Sequence, residues 1–422
     1  EIMPSLVGSE MCIRDRNEGC IPTKTLLYSA KTYDSAKHAS KYAVNIPEVS
    51  FDLPKIIARK SKVVRKLVLG VKAKLTANNV TIVSGEAQII DKNTVRCGEE
   101  TYEGENLILC TGSETFIPPI PGVDAVNYWT HRDALDSKEL PASLAIVGGG
   151  VIGMEFASFF NSLGVQVTVV EMMDEILGGM DKELSALLRA EYAKRGIKFL
   201  LSTKVVGLSQ TEEGAVVSYE NAEGNGSVIA EKLLMSVGRR PVAKGFGLEN
   251  LNLEKTERGA IRINEKMQTS VPGVYVCGDL TGFSLLAHTA VREAEVAVHS
   301  ILGKEDAMSY RAIPGVVYTN PEIAGVGETE ESALAKGITY QVIKLPMAYS
   351  GRFVAENEGV NGVCKVLLNE QQRVIGAHVL GNPASEIITL AGTAIELGLT
   401  AAQWKKIVFP HPTVGEIFRE VL

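Results

Sequence analysis

The feature that most constrains the fold is the run Gly148-Gly149-Gly150-Val151-Ile152-Gly153, set between two strand-like segments. Residues 144–147 are a short apolar run of buried-strand type, a helical segment follows to residue 163, and a second β-like run at 165–170 ends in Glu171. Strand, glycine loop, helix and strand make a right-handed parallel unit that binds a dinucleotide. Gly148 gives the tight turn, Gly150 the close approach of a pyrophosphate, and Gly153 the close packing of helix on strand, while the helix N-terminus faces the phosphates. Glu171 stands 18 residues after Gly153. It is expected to accept hydrogen bonds from the adenosine ribose and to repel a 2′-phosphate. Met172, Met173 and Asp174 supply no arginine for that phosphate, so NAD is favoured over NADP.

Composition narrows the class. A chain of 422 residues, 45% hydrophobic and 22% charged, can build several cores, and no apolar run approaches the roughly 20 residues of a membrane span. The net charge of −7 is spread without basic blocks, which leaves no electrostatic footprint for nucleic acid. The six cysteines, Cys12, Cys20, Cys97, Cys110, Cys277 and Cys364, are scattered singly, against both a secreted disulfide framework and zinc ligation. A reducing compartment follows, and no segment reads as a signal peptide.

The second informative run is Gly19-Cys20-Ile21-Pro22-Thr23-Lys24. A cysteine just before a Pro-initiated helix sits where unpaired backbone N–H groups and the positive end of the dipole favour a thiolate. Residues 22–36 and 51–77 read as helix, the latter from an apolar stripe including Leu53, Ile56, Ile57, Val64, Leu67 and Val71. Short β-like runs follow at 80–83, 94–97 and 107–110. The last ends in Thr111-Gly112-Ser113, a turn that lets backbone approach a ligand. The Pro-rich stretch 117–122 reads as a connector. A helix is expected at 181–195, and Val274-Tyr275-Val276-Cys277-Gly278-Asp279 reads as a short strand ending in Gly-Asp. Another helix is expected over 287–302. Strand-rich sequence then follows at 315–319, 340–345, 362–368 and 373–380. Near the end, His411 stands between Pro410 and Pro412 with Glu416 five residues on, where an acid can orient one ring nitrogen so that the other works as a base.

Residues 17–27 resemble the active-site segment of the pyridine nucleotide-disulfide oxidoreductases, most closely the dihydrolipoyl dehydrogenases, and the other motifs occur in that family's order to the end of the chain. The resemblance implies an α/β fold: an FAD domain at 17–140 with a return segment at 271–311, a Rossmann-like NAD domain at 141–270, and an α+β dimerisation domain at 312–422. It implies FAD and NAD as cofactors. Thr111, Gly112 and Ser113 would pass beneath the flavin nucleotide, Asp279 would hold its ribityl and pyrophosphate region, and the amides opening the helix at Leu286 and Ala287 would face the isoalloxazine. Gly238 and Arg239 would close the NAD domain on the adenine side. Glu155, otherwise a helix-start carboxylate gaining from the dipole, would lie by the nicotinamide and pair with Lys24, otherwise a helix-surface lysine, which would tune the flavin. His288 is read as structural.

The implied reaction is oxidation of dihydrolipoamide through an active-site disulfide and FAD, with NAD as acceptor. Cys20 would be the flavin-side thiol, and His411, oriented by Glu416, would deprotonate the dithiol at the partner subunit of a homodimer. Lipoyl-bearing proteins of 2-oxo-acid dehydrogenase or glycine-cleavage complexes would be the partners, in the cytoplasm or a mitochondrial matrix.

One segment departs from the family pattern. Five residues before Cys20 stands Asp15 where the family has its second redox cysteine, and residues 1–16 hold one glycine, Gly8, which cannot supply a GxGxxG loop for FAD. That segment shows neither strand nor helix period and reads as anomalous, foreign sequence, leaving an inactive fragment of the enzyme. Cys12 lies among residues that resemble nothing in the family and is not taken as the missing thiol. Other readings are a non-catalytic NAD-binding dimer, a flavin transhydrogenase, or another disulfide reductase. Glu171 opposes the NADP-linked glutathione type, and the ending Arg419-Glu420-Val421-Leu422 opposes the mercuric type.

Overall fold

The structure, a computed structural model, describes residues 10–422, with side chains from residue 14 on. The chain divides into two compact units, each assembled from separated segments.

The larger unit comprises Thr23–Ile57, Ile117–Val237 and Tyr310–Leu422. Its first sheet is parallel and four-stranded, in the order Lys232–Met235, Ser143–Val147, Gln166–Val170, Lys198–Leu200. The Ser143–Val147 strand is central, and the helix Val151–Ser162 crosses over to its neighbour, with Ile146 set beside Val169. Leu144, Ala145 and Ile146 are almost wholly buried, the near-continuous apolar signature of a strand covered on both faces. The helix buries Met154, Phe156, Phe159 and Phe160 against the sheet, and each phenylalanine contributes about 1.5–3 kcal/mol by leaving water. Leu26, Leu27 and Ala30, from the helix Cys20–Lys37, join the same core.

Residues 310–422 build a second core in this unit. A five-stranded antiparallel sheet runs Gly315–Val317, Ile323–Gly327, Val374–Leu380, Val363–Asn369, Tyr340–Pro346. The helix Ala384–Glu396 packs on it, and the Trp404 and Phe418 rings stack at 5.2 Å beside Phe353.

The smaller unit comprises the residues up to Pro22, Ala58–Phe116 and Gly238–Ser309. Its centre is a parallel pair, Leu107–Leu109 beside Val274–Val276, in a core with Ile89, Leu251, Ile261 and Leu280. The antiparallel pair Ser113–Thr115 and Arg239–Pro241 lies where the chain leaves this unit and returns to it. A three-stranded meander and the helix Ala287–Ile301 complete the unit. No helix among the described residues is long and apolar enough to cross a membrane.

Three local expectations are corrected. The run 80–83 is not a strand: Asn79 takes a left-handed φ of 56° and the Val80 amide donates to the Leu75 carbonyl at 3.0 Å, so these residues close the helix Leu53–Ala77. Cys20 does not precede its helix but is its first residue. Within the segment read as aperiodic, Glu10–Asn17 forms a helix. Glutamate, methionine and arginine favour helix without an apolar stripe, and Arg14 anchors this one through an ion pair with Asp279. Residues 1–9 and the Cys12 side chain lie outside the described residues.

Candidate nucleotide-binding and redox site

In the larger unit the glycine loop has the shape its spacing predicts. Gly148 has a φ of 104°, and a Cβ there would stand 2.5 Å from the Ser236 carbonyl oxygen. A Cβ on Gly153 would stand 2.1 Å from the Gly148 carbonyl oxygen, so the helix can pack this close only without one. At Gly150 a Cβ would meet open space, which is the room a phosphate needs above the helix N-terminus. Glu171 lies at the adjacent strand end, its Oε2 accepting from the Gly149 amide at 2.6 Å and its Oε1 from the Met173 amide at 2.7 Å. These bonds fix the carboxylate beside the loop. Gly148, Gly150, Gly153 and Glu171 therefore fit the pyrophosphate and ribose of NAD.

Glu155 follows on the first turns of the loop helix and is buried. Lys24 donates from Nζ to its Oε2 at 2.8 Å, and the Tyr318 amide donates to its Oε1 at 3.0 Å. Lys24 also stands over the Tyr318 ring, 4.8 Å from the centroid. The pairing expected of Lys24 and Glu155 is thus made. Tyr318 is the member that sequence reasoning missed, since its contact to Glu155 is through backbone and leaves no mark in residue type.

The His411 Nδ1 lies 3.0 Å from Glu416 Oε1, and the other oxygen of Glu416 accepts from the Thr413 amide at 2.7 Å. The Thr413 amide first, and His411 second, hold the Glu416 carboxyl below the usual range. His411 is 81% exposed, so its second nitrogen is open to an incoming group.

In the smaller unit Ser113 is a hub. Its hydroxyl accepts from Arg14 Nη1 at 2.7 Å and from Arg239 Nε at 2.8 Å, and donates to Asp279 Oδ2. Asp279 is wholly buried, and Arg14 Nη1 donates to its Oδ2 at 2.6 Å. The Thr111 hydroxyl donates to the Val242 carbonyl at 2.8 Å, and the Gly112 carbonyl accepts from the Val242 amide at 3.0 Å. The Phe116 amide donates to the Gly238 carbonyl at 3.0 Å. Leu286 caps the helix that starts at Ala287, and the amide of Gly278 donates to buried Glu293 at 2.6 Å. Cys20 is exposed. Asp15 is half-buried, and that burial raises its carboxyl above the usual value.

Arg14 was not legible as a site residue. Its contacts join positions 265 residues apart, and no local pattern signals them.

Residues 11–294 match the pyridine nucleotide-disulphide oxidoreductase family, and residues 313–422 match that family's dimerisation domain. The chain belongs to this family. Dihydrolipoyl dehydrogenase of Geobacillus stearothermophilus is 36% identical over 410 residues, 96% of this chain and 87% of that protein. The mitochondrial dihydrolipoyl dehydrogenase of Homo sapiens is 36% identical over 419 residues, 96% of this chain and 82% of its own length. The flavoprotein disulfide reductase RclA of Escherichia coli superposes with a TM-score of 0.84 at 27% identity, covering 97% of this chain and 90% of its own. By family the chain is an NAD-dependent flavin disulfide oxidoreductase of mixed α/β fold, with FAD and NAD as the family's cofactors.

The two cofactors fit unequally. The NAD loop is complete. On the FAD side, Asp279 keeps one buried oxygen, Oδ1, without a hydrogen-bond partner, which suits a ligand hydroxyl. Its other oxygen is taken by Arg14 and Ser113, and residues 10–17 form a helix where a pyrophosphate needs a strand and glycine loop. The described residues do not complete an FAD site.

Proposed function

We propose that the chain is built for NAD-linked dithiol–disulfide chemistry on a dihydrolipoyl group, with His411 as the base, and that with Asp15 in place of the second redox cysteine it does not turn over as it stands. The observation that carries this reading is the His411–Glu416 contact at 3.0 Å on an exposed imidazole. A proton taken at the second ring nitrogen leaves an imidazolium whose charge faces the Glu416 carboxylate. Cys20 is the thiol that exchanges sulfur bonds, at the first position of its helix, where amides favour a thiolate. Gly148, Gly150, Gly153 and Glu171 hold NAD, which when bound supplies the hydride acceptor. Glu155 and Lys24 fix the floor beside the nicotinamide. Thr111, Gly112, Ser113, Asp279, Leu286 and Ala287 are the contacts assigned to the flavin nucleotide, and Gly238 and Arg239 are assigned to the adenine side of NAD.

Residues 17–140 and 271–311 form the FAD-type domain in this reading, 141–270 the NAD domain and 312–422 the interface domain. A homodimer places His411 of one copy at Cys20 of the other. Lipoyl-bearing proteins of the 2-oxo-acid dehydrogenase or glycine-cleavage type are the partners, in cytoplasm or mitochondrial matrix. With Asp15 in the place of the family's second cysteine, Cys20 has no thiol at that position with which to close a redox disulfide.

The test compares the chain with its Asp15→Cys variant, each supplied with FAD and NAD, on dihydrolipoamide and on glutathione. Turnover of dihydrolipoamide by Asp15→Cys, abolished by His411→Gln, supports the reading. Preference for glutathione overturns the substrate. A second reading, another disulfide reductase, is favoured by the likeness to RclA and would show as turnover of neither thiol substrate.

A further inference from the structure

Cys110 and Cys277 each stand one residue beyond the end of a strand, and the two strands, Leu107–Leu109 and Val274–Val276, pair in parallel. The register sets Leu109 against Val276, and the Cys277 amide donates to the Leu109 carbonyl at 3.0 Å. Cys110 and Cys277 are therefore the next pair across the ladder. Adjacent strands lie about 4.8 Å apart, inside the window of roughly 4.4–6.8 Å between Cα atoms that a disulfide requires. Cys277 is 2% exposed, while Cys110 is only partly buried and gives the pair its access. The Cys110 thiol beside it, then burial, push the Cys277 thiol up.

We propose that Cys110 and Cys277 are a second redox pair, separate from Cys20, that a peroxide closes to a disulfide and a small dithiol reopens. The Cys110 sulfur attacks one oxygen of hydrogen peroxide. The O–O bond breaks, an S–O bond forms, and the thiol proton leaves in the first water. The Cys277 sulfur then displaces that hydroxyl from Cys110, which departs with the second thiol proton as another water. Two thiols and one peroxide give one disulfide and two waters, and the two electrons pass from sulfur to peroxide oxygen. For reduction, a dithiol such as dithiothreitol attacks Cys110, releases Cys277 and closes its own ring to free Cys110.

The consequence is mechanical. Ser113 and Asp279, which hydrogen-bond to each other, stand just beyond the two cysteines. The disulfide ties the strand by which the chain leaves the smaller unit to a strand laid down after its return. A ring closed across so long a stretch restricts the unfolded chain and resists unfolding of this unit.

The test uses the full chain with Cys20→Ser, which removes the exposed thiol and leaves five of the six cysteines. The protein is treated with hydrogen peroxide, denatured, alkylated, digested without reductant and mapped by mass spectrometry. The expected product is a Cys110–Cys277 cross-linked peptide, two of the five thiols lost, and full recovery in dithiothreitol. The oxidised form should melt at a higher temperature than the reduced form, a rise that Cys110→Ala removes. Cys110 converted to a sulfinic acid with Cys277 still alkylated would overturn the proposal. So would either cysteine joined to any other. The peptide map of the Cys20→Ser protein decides this even if Cys110→Ala fails to fold.

Discussion

The guanidinium of Arg14 donates through Nη1 to Oδ2 of Asp279 at 2.6 Å, and the aspartate side chain has no exposure to solvent. Arg14 itself is 13% exposed. A carboxylate this deep needs a cation, because the desolvation of its charge is otherwise unbalanced.

Removing one partner of such a pair is costlier than removing both. Arg14→Met should destabilise the smaller unit by about 3 kcal/mol, and the double variant Arg14→Met/Asp279→Asn should recover most of that loss. Urea unfolding of the two single variants and the double closes the cycle. Additive losses would mean that the two residues do not interact.

Glu155 has one contact on each oxygen, Lys24 and the Tyr318 amide. Glu155→Ala leaves a partly buried ammonium and a backbone donor without their acceptor. It should cost about 2 kcal/mol in urea unfolding. Because Glu155 is assigned beside the nicotinamide, the dissociation constant for NAD should rise as well. An unchanged NAD affinity beside the lost stability would make Glu155 a structural residue only.

The parts of the site that were legible in the sequence are the local ones. Gly148, Gly150 and Gly153 follow each other within one turn and helix, so their spacing reports their geometry, and Glu171 closes the same unit. The Lys24–Glu155 pair spans 131 residues and was reached only through family resemblance. The Ser113 hub joins positions 14, 113, 239 and 279, and no period or motif encodes that convergence. Lys365 shows the limit most plainly. It sits in an antiparallel strand among apolar neighbours at 1% exposure, and only tertiary structure supplies Asp181, Glu183 and Glu330 around its ammonium. Burial works to lower its pKa, and these hydrogen bonds outweigh it and raise it.

Glu171 is the residue expected to set the nucleotide preference. Its carboxylate already engages two amides of the loop region, at 2.6 and 2.7 Å, so it is held in place before any ribose arrives. Charge-assisted hydrogen bonds of this type are worth about 1.5–3 kcal/mol. Glu171→Ala should weaken NAD binding roughly 10- to 150-fold, and it should narrow the gap between NAD and NADP as the repulsion of the 2′-phosphate is lost. Fluorescence titration with both nucleotides measures the ratio. An unchanged ratio would show that discrimination lies elsewhere.

Glu416 is held below its usual 4.5 chiefly by the Thr413 amide and then by His411. A carboxyl depressed in the folded state contributes stability above the unfolded value, and that contribution is lost as pH falls through the folded value. The His411–Glu416 contact should therefore survive acidification to below pH 4.5. In His411→Asn, carboxyl-carbon NMR should still find Glu416 titrating below 4.5, because the leading cause remains. A return to 4.5 would make the imidazole the main partner.

His378 is the group expected to make stability depend on pH in the mildly acidic range. It is 2% exposed, its Nε2 meets the Glu328 carbonyl at 2.9 Å, and its Nδ1 has no hydrogen-bond partner. Burial holds it below the ordinary 6.5; Asp181 and Glu331 work against that shift and Lys365 with it. The unfolded chain therefore binds this proton more readily than the folded one. Stability is complete above pH 6.5 and falls as pH drops below it, by at most about 1.4 kcal/mol per pH unit. Urea unfolding at stepped pH between 7.5 and 5.5 should show this slope, and His378→Asn should remove it. The same slope in the variant would show that His378 does not set it.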